Sequence, residues 1–255
     1  MAGPVPPFDP GRLRARLDPG FPWDLRHVAV TASTNDDARA ADSGHGTVFL
    51  ADFQTAGRGA RRRTWQSPPG GSLLASIVLV PDPPLPPAAL TALGALALAG
   101  GLGATTGLEV LVKWPNDCVI DDRKVGGVLV ESSGGRAVVG LGANLNFAAT
   151  EILEPDYPAT TASDKLGAPC DREAVTAAVL NQVARLYGEL RADPGALDAA
   201  WRGRSSLIDR AVVLETESGA VRGVVVGFSA EGHLRLRLDS GDERSFIAGR
   251  VRPAG

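Results

Sequence analysis

Between Pro83 and Leu108 the chain carries no charged side chain, and that run outlasts the roughly 20 residues that cross a bilayer as a helix. Such a stretch has to be covered, by lipid or by protein. Its composition decides between the two. Pro83, Pro84, Pro86 and Pro87 open it, and the rest is Ala, Gly and Thr set among a few leucines. That makes a poor membrane span and predicts a buried core helix near residues 88–103. A helix of that kind needs other elements on every side. The chain can supply them, since 44% of its 255 residues are hydrophobic and 22% charged. Disorder is excluded as a dominant theme.

The remaining bulk properties narrow the class further. A net charge of −3 argues against wholesale electrostatic binding of DNA, RNA or an anionic membrane, while leaving room for a local basic patch. Cys118 and Cys170 form no disulfide framework and sit in no metal-ligand spacing, which points to a reduced, cytoplasmic enzyme. Met1-Ala-Gly-Pro-Val-Pro-Pro has neither a basic region nor an apolar run, so no signal peptide is expected. His27, His45 and His233 are far apart, and each reads as an ordinary histidine.

Hydrophobic periodicity lays out the order of elements. Residues 1–24, rich in Pro, Gly and Arg, read as an N-terminal extension too short to be a domain. Leu25–Thr31, Thr47–Phe53 and Ser72–Val80 read as strands, the last buried on both faces. A helix capped at Ser33–Asn35 lies between the first two. Glu109–Lys113, Asp117–Ile120, Val125–Ser132 and Ala137–Asn144 form a compact β run, with turns at Asp121-Asp122-Arg123 and Gly134-Gly135. Residues 145–170 read as a surface loop and Asp171–Arg191 as an amphipathic helix, and Pro194 opens another. From Ser206 the pattern becomes short β alternation: Ala211–Thr216, Gly223–Phe228, Leu234–Leu238 and Ser245–Ile247. The expectation is a unit over 25–205 followed by a small SH3-like barrel over 206–255.

Four segments carry chemistry. Gln54-Thr-Ala-Gly57-Arg58-Gly59-Ala60-Arg61-Arg62-Arg63-Thr-Trp65 combines glycines that admit an anion to the backbone with guanidinium groups that grip carboxylate or phosphate. Trp65 offers a flat face for a ring such as adenine. The same loop also reads as a solvated basic loop. Lys113-Trp-Pro-Asn116-Asp117 reads blandly as a turn. However, the chain has three lysines against 23 arginines, and two of the three, Lys113 and Lys124, fall within a dozen residues. An ammonium where arginine is the default points to a compact charge. Lys124-Val-Gly126-Gly127 opens the third segment, where paired glycines admit either a ligand or a bulge. Gly140-Leu-Gly142-Ala-Asn144 is half a dinucleotide fingerprint without its third glycine or its helix.

Taken in order, Ser33-Thr34-Asn35, Gln54 through Trp65, Lys113 through Asp117, Asp122 through Glu131 and Gly140-x-Gly142-x-Asn144 resemble the biotin protein ligase family. The C-terminal Ala248-Gly249-Arg250-Val251 fits as well, and the resemblance covers roughly residues 25–255. It implies an α+β fold, with a mixed sheet flanked by helices of the class II synthetase-like, biotinyl–lipoyl ligase kind, and then the barrel. Longer members carry an N-terminal winged helix, and the residues before Leu25 are too few for one, so the ligase-only form is expected. Biotin and ATP would give biotinyl-5′-AMP, with Mg²⁺ as co-substrate and no prosthetic group. A lysine of a biotin carboxyl carrier protein would then take the biotinyl group.

By position, Ser33, Thr34, Asn35 and Gln54 match the residues that hold biotin's ureido ring. Gly57, Arg58, Gly59 and Ala60 match the loop around its carboxylate and the adenylate phosphate, and Gly127 and Gly142 match the floor. Lys124 is expected to be the chief electrostatic catalyst, with Arg58. Arg61, Arg63, Trp65, Asn116 and Asn144 are expected at the nucleotide. Asp117 is left between organising Mg²⁺ and deprotonating the acceptor lysine. One departure stands out: where the family usually has a second arginine and, two positions later, a glycine, this chain has Ala60 and Arg62. Homodimerisation is a family habit that the sequence does not decide. The rival readings are a lipoate or octanoate ligase or transferase of the same fold, and an arginine-loop nucleic-acid binder.

Overall fold

The structure, a computed structural model, describes residues 7–60, 63–152, 158–193 and 195–254. Arg61, Arg62 and Pro194 lie outside the described residues. The larger of two sheets holds β1 (Asp24–Thr31), β2 (Thr47–Gln54), β3 (Ser72–Leu79), β4 (Leu111–Lys113), β5 (Asp117–Ile120), β6 (Arg123–Ser133) and β7 (Arg136–Asn144). Their spatial order is β1-β2-β3-β7-β6-β5-β4. β1 and β2 run parallel, as the crossover through helix α2 (Thr34–Ala40) requires. The other neighbours are antiparallel.

Strand alternation assigns the two faces of this sheet. Leu73, Ala75, Ile77 and Leu79 of β3, with Val139, Leu141 and Ala143 of β7, join the main core. Against that face lies the uncharged helix, which runs over Pro87–Thr106 and ends at Gly107 in the left-handed conformation, φ 72°. It has the length and composition to cross a membrane, yet is mostly buried inside the fold. Its small residues set the packing distance to the helix Arg172–Ala192: a Cβ at Gly101 would lie 2.5 Å from the backbone nitrogen of Val179. The opposite face of β3 and β7 carries Ser76, Val78, Val138, Gly140 and Gly142. α2 packs on part of it through Ala38.

The extension is not a bare tail. Pro10–Arg14 forms a short helix, α1, whose Asp9 cap accepts the Gly11 and Arg12 N–H groups. Leu13 is fully buried in the main core. The uncharged helix is α3, a short helix Ala162–Leu166 is α4, Arg172–Ala192 is α5 and Ala196–Arg204 is α6.

The expected surface loop over 145–170 is corrected by α4 and by buried Asn146, Thr160, Thr161 and Ala162. Much of the burial is polar, at Asn146, Thr160 and Thr161, which hydrophobic periodicity does not reveal. Asn146 exchanges two hydrogen bonds with the Cys170 backbone, at 2.9 and 2.7 Å. Pro158 and Thr160 pair with the backbone of Lys124.

The second sheet, in the order β11-β10-β9-β8-β12, is antiparallel throughout. It comprises β8 (Ala211–Thr216), β9 (Gly219–Phe228), β10 (Leu234–Leu238), β11 (Glu243–Phe246) and β12 (Arg250–Pro253). It is tied to the rest of the fold by the ring contact of Trp201, on α6, with Phe228 at 4.6 Å and by Trp114 Nε1, in the turn after β4, donating to the Gly232 carbonyl at 3.1 Å. The architecture is therefore a mixed α/β core with a small β-rich C-terminal unit.

Candidate active site

The polar residues after β1 do not cap α2 as expected. Ser33 makes no side-chain cap bond. Instead the Thr34 N–H donates to Gln54 Oε1 at 2.8 Å, and Thr34 Oγ1 donates to the same oxygen at 3.0 Å. Ser76, buried in the middle of β3, places its Oγ 2.7 Å from Thr34 Oγ1 and 2.6 Å from Asn35 Oδ1. Asn35 Nδ2 donates to Glu131 Oε2 at 2.8 Å. Gly140 makes room for this amide, since a Cβ there would lie 2.3 Å from Asn35 Oδ1.

The arginine loop closes beside this cluster. The Trp65 N–H donates to the Gly57 carbonyl at 2.9 Å and the Gly59 N–H to the Arg63 carbonyl at 2.8 Å, so the described ends of the loop form a small hairpin. Arg58 is held by Asp36 at 2.8 Å and by Glu131 at 3.0 Å. Trp65 lies on the sheet at Gly142, with Lys124 Nζ 5.9 Å from its ring centre.

A β-bulge aims Lys124. Cys118 pairs with Gly126 and Val119 with Lys124, leaving Val125 as the extra residue. Val125 stays in the main core. Lys124 turns instead onto the face of Gly127, where Nζ meets Asp117 Oδ1 at 3.0 Å.

Two adjoining cavities result. Ser33, Thr34, Asn35 and Gln54 line one end of the first; Arg58, Gly59 and Ala60 form its rim; Gly127 and Gly142 form its floor. Its volume is about 40 Å³, and the Trp65 ring rests on that floor at Gly142. The second cavity, of about 130 Å³, collects Arg63, Lys113, Asp117 and, from the C-terminal sheet, Gly249 and Arg250. Gly59, Ala60, Trp65, Asn116 and Lys124 line both. Burial pushes the Lys113 pKa down, against the opposing pull of Asp117 and Asp122.

Two expected site residues stand apart. Gly57 lines neither cavity and closes the base of the loop. Asn144 lines neither: its buried amide donates to the Thr160 carbonyl at 3.2 Å. Conversely, the site draws in Ser76, Asp36, Glu131 and Arg250, which sequence reasoning passed over. A serine interrupting Leu-Leu-Ala-Ser-Ile-Val-Leu was the available signal for Ser76.

Residues 27–147 match the biotin/lipoate A/B protein ligase family, and residues 207–251 the biotin protein ligase C-terminal domain. The biotin–[acetyl-CoA-carboxylase] ligase of Mycobacterium tuberculosis is 35% identical over 261 residues, covering 95% of this chain and 94% of that one. The chain belongs to the biotin protein ligase family. The bifunctional ligase/repressor BirA of Bacillus subtilis is 29% identical to this ligase over 231 residues, which are 87% of it and 70% of BirA. Biotin protein ligase from Aquifex aeolicus, solved with biotin and ATP, superposes with a TM-score of 0.79 at 26% identity, covering 91% of this ligase and 99% of that chain. The activity of this ligase is ATP-dependent biotinylation of protein.

Proposed function

We propose that the first cavity takes biotin and the second the ATP phosphates, and that Lys124 is the electrostatic catalyst where they meet. The observation that carries this reading is that Lys124 lines both cavities. The Aquifex relative's complex with biotin and ATP supports the same pair of ligands. Ser33, Thr34, Asn35 and Gln54 offer the mixed donors and acceptors that a cyclic urea requires. A bare acyl chain or a dithiolane would leave them unpaired, which favours biotin over lipoate.

In the first step a biotin carboxylate oxygen bonds to the α-phosphorus as its bond to the pyrophosphate oxygen breaks. Two anions must approach, and Lys124 with Arg58 offsets that repulsion. Among the described residues there is no cluster of three or more side chains able to hold a metal. Mg²⁺ would come with the ATP phosphates, and Asp117, which lines the second cavity, is the carboxylate that would meet it there. In the second step the neutral amine of a carrier lysine bonds to the acyl carbon, AMP leaves and the amine loses a proton.

The carrier is a biotin carboxyl carrier domain and the setting cytoplasmic, with residues 25–205 as the catalytic unit and 206–255 as its companion. Homodimerisation belongs to the same proposal. Biotin-dependent ATP–pyrophosphate exchange, with calorimetric titration of biotin and of lipoate, tests the reading. Tight lipoate binding without biotin binding would overturn it.

A further inference from the structure

Glu131 follows the apolar residues Val128, Leu129 and Val130 of β6, and no step above uses it. Its carboxylate nonetheless holds two residues that line the first cavity, Asn35 and Arg58. Oε2 accepts from Asn35 Nδ2 at 2.8 Å and from Arg58 Nη2 at 3.0 Å, and Oε1 accepts from Arg39 Nη1 at 3.2 Å.

Counting protons along the buried network shows what this carboxylate decides. An ionised Glu131 only accepts, so the group facing it on Asn35 is the NH₂. The Asn35 oxygen then faces Ser76 and, having no proton, accepts that hydroxyl's proton at 2.6 Å. Ser76 also faces Thr34 Oγ1 as a donor at 2.7 Å, so its one proton is shared between Asn35 and Thr34, while Thr34 gives its own proton to Gln54 Oε1. The Glu131 carboxylate at 2.8 Å, helped by the Leu129 carbonyl that accepts from the same Nδ2 at 3.4 Å, thus sets the orientation of the Asn35 amide. With Asn35 turned over, NH₂ would face Ser76, and the Ser76 proton would turn to Thr34.

We infer that Glu131 is the positioning residue of the ureido end, fixing the Asn35 amide so that its oxygen faces the cavity at Gly140. A cyclic urea brings two N–H donors, and inward-facing acceptors satisfy them. An inverted amide would set donor against donor and leave both unpaired. A ligand ring without N–H groups is indifferent to this polarity, so Glu131 acts on selectivity as well as affinity. The inference rests on the proposed reading of the first cavity as the biotin site.

The test is calorimetric titration of biotin on the full chain, with ATP KM and the melting temperature measured alongside. Glu131→Leu is expected to weaken biotin binding by at least about tenfold while ATP KM stays within about threefold. Glu131→Gln, whose amide oxygen can still accept from Asn35, is expected to recover most of that loss. Asn35→Asp sets two carboxylates face to face and is expected to lose biotin binding. The double variant Asn35→Asp with Glu131→Gln restores a donor–acceptor pair with oxygen inward, and is expected to regain binding.

A double variant as weak as Asn35→Asp alone overturns the inference, even where Glu131→Leu fails to fold. So does a Glu131→Leu protein that binds biotin normally, or one that loses biotin and ATP binding equally. Wild-type protein that binds no biotin overturns the proposed site itself, a result distinct from these.

Discussion

The indole of Trp65 rests on Gly142: a Cβ added at Gly142 would lie 3.0 Å from Cζ2 and 3.1 Å from Cε2 of that ring. The seat exists because the strand has no side chain there. The same bare strip of β7 is the proposed floor for biotin, so ring and ligand compete for one surface. Gly142→Ala is expected to weaken biotin binding by about tenfold, since a methyl intrudes on a floor that fits closely. Titration calorimetry checks this. Unchanged affinity would mean that the bare strip serves the ring and not the ligand.

Lys124 carries the largest single expectation. Its ammonium is largely screened from solvent, 16% exposed, and paired to Asp117. Removing one preorganised electrostatic partner of a transition state typically costs about 10²–10³ in rate. Lys124→Ala is expected to cut biotin-dependent pyrophosphate exchange by that much while thermal unfolding stays cooperative. Exchange within about threefold of wild type would move the catalytic charge to Lys113, Arg63 or Arg250.

A histidine far from the cleft sets an acid limit on stability. His45 packs in one cluster with Phe21 and Tyr187, whose tilted rings are each 5.0 Å away and 6.4 Å from one another, and its Nδ1 accepts the Val80 N–H at 3.2 Å. Burial, and then the Arg191 guanidinium, hold its pKa below the ordinary 6.5. The folded state therefore binds fewer protons than the unfolded one as pH falls past 6.5. This contribution to stability is complete above that pH and is lost toward the lower folded value. Between about pH 7 and pH 5, the melting temperature of His45→Gln is expected to fall less than that of wild type. Parallel profiles would exclude His45 as the source.

Periodicity made the strands of the larger sheet and the buried helix α3 legible, because apolar alternation is the physical cause of both. The bulge at Val125 was legible only as a choice, since paired glycines suit a ligand or a bulge equally. In the structure one segment serves both, because the bulge turns Lys124 onto the floor beside Gly127. Polar burial was hidden. Asn144 reads as a ligand contact in a Gly-x-Gly-x-Asn pattern, yet its amide supports the segment at Thr160. Leu13 was hidden for another reason, since the apolar residues of its segment are scattered among Pro, Gly and Arg without a helical or strand period. Its burial depends on α1 docking to α5, where the Asp9 N–H donates to Glu173 at 2.9 Å.

Ala60 gives the last expectation. Its methyl stands where both cavities meet, beside Lys124 and Trp65. The resemblance leads one to expect an arginine at this point, and a methyl cannot make the charge-assisted bond, worth typically about 1.5–3 kcal/mol, that an arginine would give a phosphate. The loop is closed on its near side by the Gly59–Arg63 hydrogen bond at 2.8 Å, but that bond holds backbone to backbone and offers no charge to a ligand. With one fewer cation at the junction, biotinyl-AMP is expected to escape roughly tenfold to a hundredfold faster than from an arginine-bearing loop. The observable is biotin labelling of bystander lysines when ATP and biotin are supplied without carrier. Ala60→Arg is expected to suppress that labelling and to lengthen adenylate retention on a desalting column. If wild-type protein holds the adenylate as long as Ala60→Arg does, a neighbouring arginine supplies the charge, and Arg63→Ala in the wild-type background is then expected to release it.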